Sequence, residues 1–277
     1  MSARKPFTFR PSPLAARADA YRPPRHPAPV DLRLDGNEGP PPPPELFDAL
    51  VRLGPAVLRE YPRPAELEGR LAERLGIDPR RLIVTAGGDD AIERVLRASL
   101  GPGRELLLPS PTFEMIARYA ALAGAEVARV PWLEGPLPVD ALLAAASPRT
   151  ACAAVVTPNS PTGRIIGKEQ IRRVCREAPG ALVLVDLAYV EFADEDITRF
   201  VLEHDNALAV RSMSKAWGMA GLRVGWAAGS AEVIAWLRAA GHPYAVSAPS
   251  LMLARARLET GEDHVRAFAR RVRFERE

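Results

Sequence analysis

"ACAAVVTPNSPTGRIIGKEQIRRVCREAPGALVLVDLAYVEF", residues 151–192, holds two short apolar runs with a charged segment of helical period between them. Apolar runs of this length, bounded by Pro and Gly, predict strands buried on both faces, and "KEQIRRVCREA" predicts a crossover helix between parallel neighbours. The same alternation runs upstream, in "RLIVTAG" then "DDAIERVLRASL" and in "RELLLPS" then "TFEMIARYAALAG". The predicted class is α/β, with a mainly parallel sheet flanked by helices.

In sheets of this kind ligands bind beyond the carboxyl ends of the strands. Attention therefore falls on "TAGGDD" at 85–90, "TPNSPTG" at 157–163, "DLAY" at 186–189 and "SMSK" at 212–215, where the apolar runs stop. Gly87 and Gly88 stand before a predicted helix, whose unpaired amides and dipole favour a phosphate. A plain turn with Asp89 or Asp90 as N-cap is the alternative. Asp186 ends a strongly apolar strand, where a carboxylate needs a cationic or donor partner. A protonated ring nitrogen or an arginine would each serve.

Lys215 is one of only three lysines among 37 basic residues. An arginine stays protonated, whereas a lysine amine can be deprotonated and can form a Schiff base with a carbonyl compound. The plain alternative is a solvated surface charge.

Composition narrows the remaining classes. A chain of 277 residues, 47% hydrophobic, can bury the core of one large or two modest domains. Its 37 basic and 34 acidic residues are interspersed, for a net charge of +3, so no nucleic-acid partner is expected. Cys152 and Cys175 lack ligand-like spacing, which argues against a disulfide framework or a metal site. No apolar run suits a signal peptide or a membrane span, so the cytoplasm is the expected location and no membrane partner is expected. Residues 1–44 are proline-rich and end in "GPPPPP", which predicts an extended arm. From Glu45, "PELFDALVRLG" and "AELEGRLAERLG" predict amphipathic helices that open a main domain over 45–245.

The stretch "SMSKAWGMAGLRVGW", 212–226, resembles the Schiff-base lysine motif of fold type I pyridoxal-phosphate aminotransferases, in particular the histidinol-phosphate aminotransferase branch. The same branch is resembled, in order, by "LDGNEGP" at 34–40, "EYPRPAELEGRLAERLG" at 60–76, "PSPTFEM" at 109–115, "PNSPTGRI" at 158–165, "VDLAYVEF" at 185–192 and "HPYAVSAPS" at 242–250. The resemblance implies the large domain of that fold, the cofactor pyridoxal 5'-phosphate, and transfer of an amino group between a small-molecule amino donor and a 2-oxo acid. It also implies roles. Lys215 would hold the cofactor and move a proton, Asp186 would pair with the ring nitrogen, and Tyr189 would bond the phenolic oxygen. Phe113 would stack on the ring. Ser212, Arg223 and the backbone at Gly88 and Asp89 would hold the phosphate, and Tyr61 would reach the phosphate of the neighbouring subunit in a homodimer.

Three departures stand out. Ser160 occupies the position where the family usually has an asparagine, with Asn159 one place earlier, and either could contact the cofactor. Leu187 replaces an acidic residue in "DLAY". The chain stops at "ARRVRFERE", so residues 246–277 are expected to begin a long helix leading to a truncated or missing small domain, which in the family carries the arginine for the substrate carboxylate. An apolar stripe along that helix is expected to lie uncovered. A decarboxylase of a phosphorylated amino acid and a catalytically silent cofactor-binding module are the competing functions.

Overall fold

The two apolar runs of residues 151–192 lie side by side in the sheet. β4 (Thr150–Val156) and β5 (Leu182–Asp186) pair in parallel with Ala154 opposite Leu184, joined through α7 (Lys168–Glu177). A computed structural model describes residues 12–17 and 35–276. Most of the predicted arm lies outside the described residues, and 35–44 carry no regular element.

The remaining elements follow the predicted alternation. Helices α1 (Leu46–Leu53), α2 (Ala56–Arg59) and α3 (Ala65–Leu75) precede β1 (Leu82–Thr85) and α4 (Gly87–Ser99). Then come β2 (Glu105–Ser110), α5 (Glu114–Leu122), β3 (Glu126–Pro131) and α6 (Val139–Ala144), ahead of β4. After β5 the chain forms α8 (Thr198–Val201), β6 (Ala207–Ser212), β7 (Gly225–Ala228), α9 (Ala231–Ala240), α10 (Ala248–Thr260) and α11 (Glu262–Arg276).

The seven strands form one sheet in the order β1-β7-β6-β5-β4-β2-β3. β2 to β6 are parallel to their neighbours among themselves, and β7 runs antiparallel to both β6 and β1. The expectation of a mainly parallel sheet is met. Side chains of β5 divide between two cores: Val183 and Val185 join one with Ile171 and Val174 of α7, and Leu184 joins the other with Ile92 and Val95 of α4. Burial of this kind contributes about 1.5–3 kcal/mol per Val or Leu side chain. It explains why these strands read as continuous apolar runs.

The carboxyl-terminal segment differs from the single helix expected. It breaks at Gly261, where a Cβ would lie 2.6 Å from the Arg257 carbonyl oxygen, so the chain turns there and α10 and α11 pack against the body. Leu251, Leu253, Ala254, Leu258 and Val265 are buried with Trp217 and Trp226, so most of the apolar stripe finds its partner within the chain. Phe274 remains 78% exposed. No helix among the described residues is long and apolar enough to cross a membrane.

Candidate active site

Five strand ends meet at one cavity of about 560 Å³. The turn after β1 brings Gly88 and Asp89, the turn after β2 brings Phe113, and the loop after β4 brings Ser160. The turn after β5 brings Asp186 and Tyr189, and the loop after β6 brings Ser212 and Lys215. Because β7 is antiparallel, its entrance lies on the same edge, and Arg223 enters the cavity from there. Of the residues singled out in the sequence, this gathers Gly88, Asp89, Phe113, Ser160, Asp186, Tyr189, Ser212, Lys215 and Arg223.

Two are placed elsewhere. Asn159 is buried, but its amide donates to the Pro111 carbonyl (3.0 Å) and Thr162 Oγ1 (2.8 Å) and accepts from Thr112 Oγ1 (2.7 Å), so it fastens two loops instead of lining the cavity. Tyr61 is 76% exposed and stacks on Tyr244 with ring centroids 4.6 Å apart, outside this cavity.

The start of α4 is shaped to leave its amides open. Its N-cap position is Ala86, which offers no side-chain acceptor, while Asp90 reaches back to the Ala86 amide at 2.8 Å. Neither Asp89 nor Asp90 is the N-cap. Gly87 has φ +80°, which glycine adopts without strain, and the Arg223 guanidinium packs against it, with Nη2 2.7 Å from where a Cβ would lie. Arg223 itself is left-handed at φ 52° and binds Asp89 at 3.1 Å and Ser214 Oγ at 3.4 Å. A helix N-terminus beside an arginine suits an anion.

Asp186 lies at the opposite end of the chemistry. It is 4% exposed, accepts from the Ala188 amide at 3.0 Å, and forms no ion pair among the described residues. Burial pushes its carboxyl up to about 7, partly offset by the Ala188 amide. A buried carboxyl of this kind is poised to share a proton with a cationic ring nitrogen. Between the two ends stands Lys215, half-buried, its Nζ donating to the Gly36 carbonyl at 2.7 Å and lying 5.5 Å from the centre of the Tyr189 ring. Asn37 Nδ2 donates to the Tyr189 hydroxyl at 3.3 Å.

Gly36, Glu38, Met115 and Tyr119 also line the cavity, and sequence reasoning gave none of them a role. Burial, with Asp89 and Glu93 nearby, pushes the Tyr119 phenol up to about 12. The i, i+4 spacing of Met115 and Tyr119 on α5 was the available signal. Taken together, the polar groups fit one ligand: a phosphate at the donors of α4, a protonated ring nitrogen at the Asp186 acceptor, and a carbonyl within reach of an amine.

Comparison with known proteins agrees. The family described as aminotransferase class I and II matches residues 33–277. Histidinol-phosphate aminotransferase 1 of Trichormus variabilis is 34% identical over 207 residues, which cover 73% of this chain and 58% of that protein, so the chain spans less than two thirds of that relative's length. The N-succinyldiaminopimelate aminotransferase structure from Mycobacterium tuberculosis superposes with a TM-score of 0.78 at 27% identity, covering 87% of this chain and 69% of that one. The histidinol-phosphate aminotransferase structure from Sinorhizobium meliloti, in complex with pyridoxal-5'-phosphate, shares the fold with a TM-score of 0.75 at 22% identity, covering 84% and 65%.

Proposed function

Since the chain belongs to the class I and II aminotransferases, we propose that it binds pyridoxal phosphate and transfers an amino group between an amino donor and a 2-oxo acid. The observation that carries the proposal is the buried Asp186 carboxyl, in no ion pair among the described residues, in one cavity with the Lys215 amine. Pyridoxal phosphate, when bound, supplies an aldehyde that condenses with amines and a ring that withdraws electrons from the carbon bearing the nitrogen.

The residues divide the remaining work. Lys215 is the amine that holds the cofactor and, when free, the base that moves a proton inside the cavity. Asp186 accepts from the ring N–H and keeps it protonated. Tyr189, which accepts from Asn37, keeps its own proton to donate into the cavity. Phe113 covers a ring face. The amides of Gly88 and Asp89, with Ser212 and Arg223, take the phosphate, and Arg223 must then exchange part of its bond to Asp89.

Two finer assignments belong to the same proposal. The amino donor is histidinol phosphate, supported by the 34% identity to the Trichormus variabilis enzyme. The working unit is a homodimer in which Tyr61 serves the partner's cavity, supported by its 76% exposure away from its own. The test is an absorbance spectrum with added pyridoxal phosphate, then borohydride reduction and mass analysis, for wild type and Lys215→Ala. A visible band and an adduct at Lys215, both absent from the variant, are expected. A wild type with neither sinks the proposal.

A further inference from the structure

Glu191 ties together the two turns that carry Tyr189 and Lys215. It sits two residues beyond Tyr189, in the 3-10 turn Val190–Phe192. Its Oε1 accepts from Arg211 Nη2 at 2.7 Å and from Trp217 Nε1 at 3.0 Å. Arg211 precedes Lys215 on β6 and Trp217 follows it, so a single oxygen grips the lysine loop on both flanks.

The arrangement is costly for a contact that only stabilises. Arg211 is 9% exposed, bound also to Asp196 (2.8 Å) and Thr198 Oγ1 (2.6 Å). Glu191 Oε2 and Arg211 Nε are buried with no partner among the described residues, and both residues border a second cavity of about 460 Å³ behind the loop. Desolvating an ion pair whose remaining polar atoms go unpaired returns little net stability. What the pair does supply is geometry. Residues 39–40 also press on the loop: a Cβ on Gly218 would lie 2.1 Å from the Pro40 carbonyl oxygen. The lysine loop thus touches both Glu191 and that strap.

We propose that Glu191 is a positioning residue that sets the Lys215 amine against Tyr189 and Asp186 by clamping the lysine loop at Arg211 and Trp217. The inference rests on Lys215 being the reacting amine. It is tested on the cofactor-free full chain by the rate at which an N-hydroxysuccinimide ester of acetic acid acetylates Lys215, relative to Lys5 and Lys168, read by mass spectrometry. Trp217→Phe keeps an aromatic ring while removing the indole donor with part of the ring, and Glu191→Gln keeps the shape and removes the charge. Asp196→Asn is the control, since it deprives Arg211 of a partner without touching Trp217.

Release of the clamp is expected to raise the relative Lys215 rate about fivefold in Trp217→Phe, the factor that corresponds to one net hydrogen bond, and to raise it above wild type in Glu191→Gln, which loses the charge paired with Arg211. The ratio in Asp196→Asn is expected to stay at the wild-type value. In cofactor-loaded protein the same two variants should move the visible band, and the control should not. If Glu191→Gln does not fold, Trp217→Phe decides. An unchanged ratio in Trp217→Phe, or an equal rise in Asp196→Asn, overturns the proposal. Because labelling is read without cofactor, a wild type that never gains a visible band refutes the proposed function and leaves the clamp to this measurement.

Discussion

Gly39 approaches the lysine loop so closely that a Cβ on it would lie 2.1 Å from the carbonyl oxygen of Lys215. The obstructed atom belongs to the backbone, so no side chain can rotate away to make room. Gly39→Ala is expected to displace either the strap or the lysine loop and to lower kcat about a hundredfold, the scale of a misplacement near 1 Å. Steady-state kinetics with the proposed donor, histidinol phosphate, and a 2-oxo acid would check it, and near-wild-type turnover would show that the strap gives way harmlessly.

Asp186 ties pH to stability. Its carboxyl is pushed up to about 7 by burial from an ordinary 3.8, so between those values the folded chain holds a proton that the unfolded chain has released. Stability of the cofactor-free protein therefore falls as pH rises through that window, by on the order of 4 kcal/mol from this group. Asp186→Asn removes the dependence. In thermal melts without cofactor the variant should exceed wild type at pH 8 and lose that advantage at pH 4, while binding pyridoxal phosphate far more weakly. A variant less stable than wild type at pH 8 would contradict this.

Arg223 should discriminate by phosphate. Arg223→Gln is expected to weaken binding of pyridoxal phosphate about ten- to hundredfold, the range of a charged hydrogen bond, and to leave pyridoxal binding unchanged. Equilibrium dialysis with both compounds separates this from general damage, which would weaken the two alike.

Asn159 and Ser160 should separate in function. Asn159→Ala breaks the bonds to Pro111, Thr112 and Thr162 and is expected to cost about 2 kcal/mol in urea unfolding. The wavelength of the bound cofactor should not move. Ser160→Ala, at the cavity wall, should show the reverse pattern.

How far the sequence was legible depended on how local each signal was. β1, β2, β4, β5 and β6 were visible because burial on both faces demands continuous apolar runs. β7, "GWAA", was not foreseen as a strand, and its first two residues entered only as the end of the stretch that resembles the lysine motif, since four residues opening on Gly become a strand through their neighbours β1 and β6. β3 stands at the sheet edge, mostly uncovered, and lacks the apolar run altogether. The cavity residues at strand ends were legible from the rule that ligands sit there. Gly36 and Glu38 were not, because contacts distant in sequence, from residues 36–40 to Lys215, Tyr189 and Gly218, bring them in. The break at Gly261 carried a visible stop signal, a glycine after a basic last turn, which the apolar periodicity on either side overrode.

β1 has a single neighbour in the sheet, β7, and Leu82 pairs with Ala228. While the polypeptide emerges from a ribosome, β3 to β6 can each associate with a strand already made, yet β1 has no place to dock until the residues beyond Arg223 are out. The amides at the start of α4 and the guanidinium of Arg223 are brought together by that same late pairing. The corner proposed to take the anion is therefore the last part of the sheet to be born, and until then an unpaired strand edge is open to chaperones or to other nascent chains.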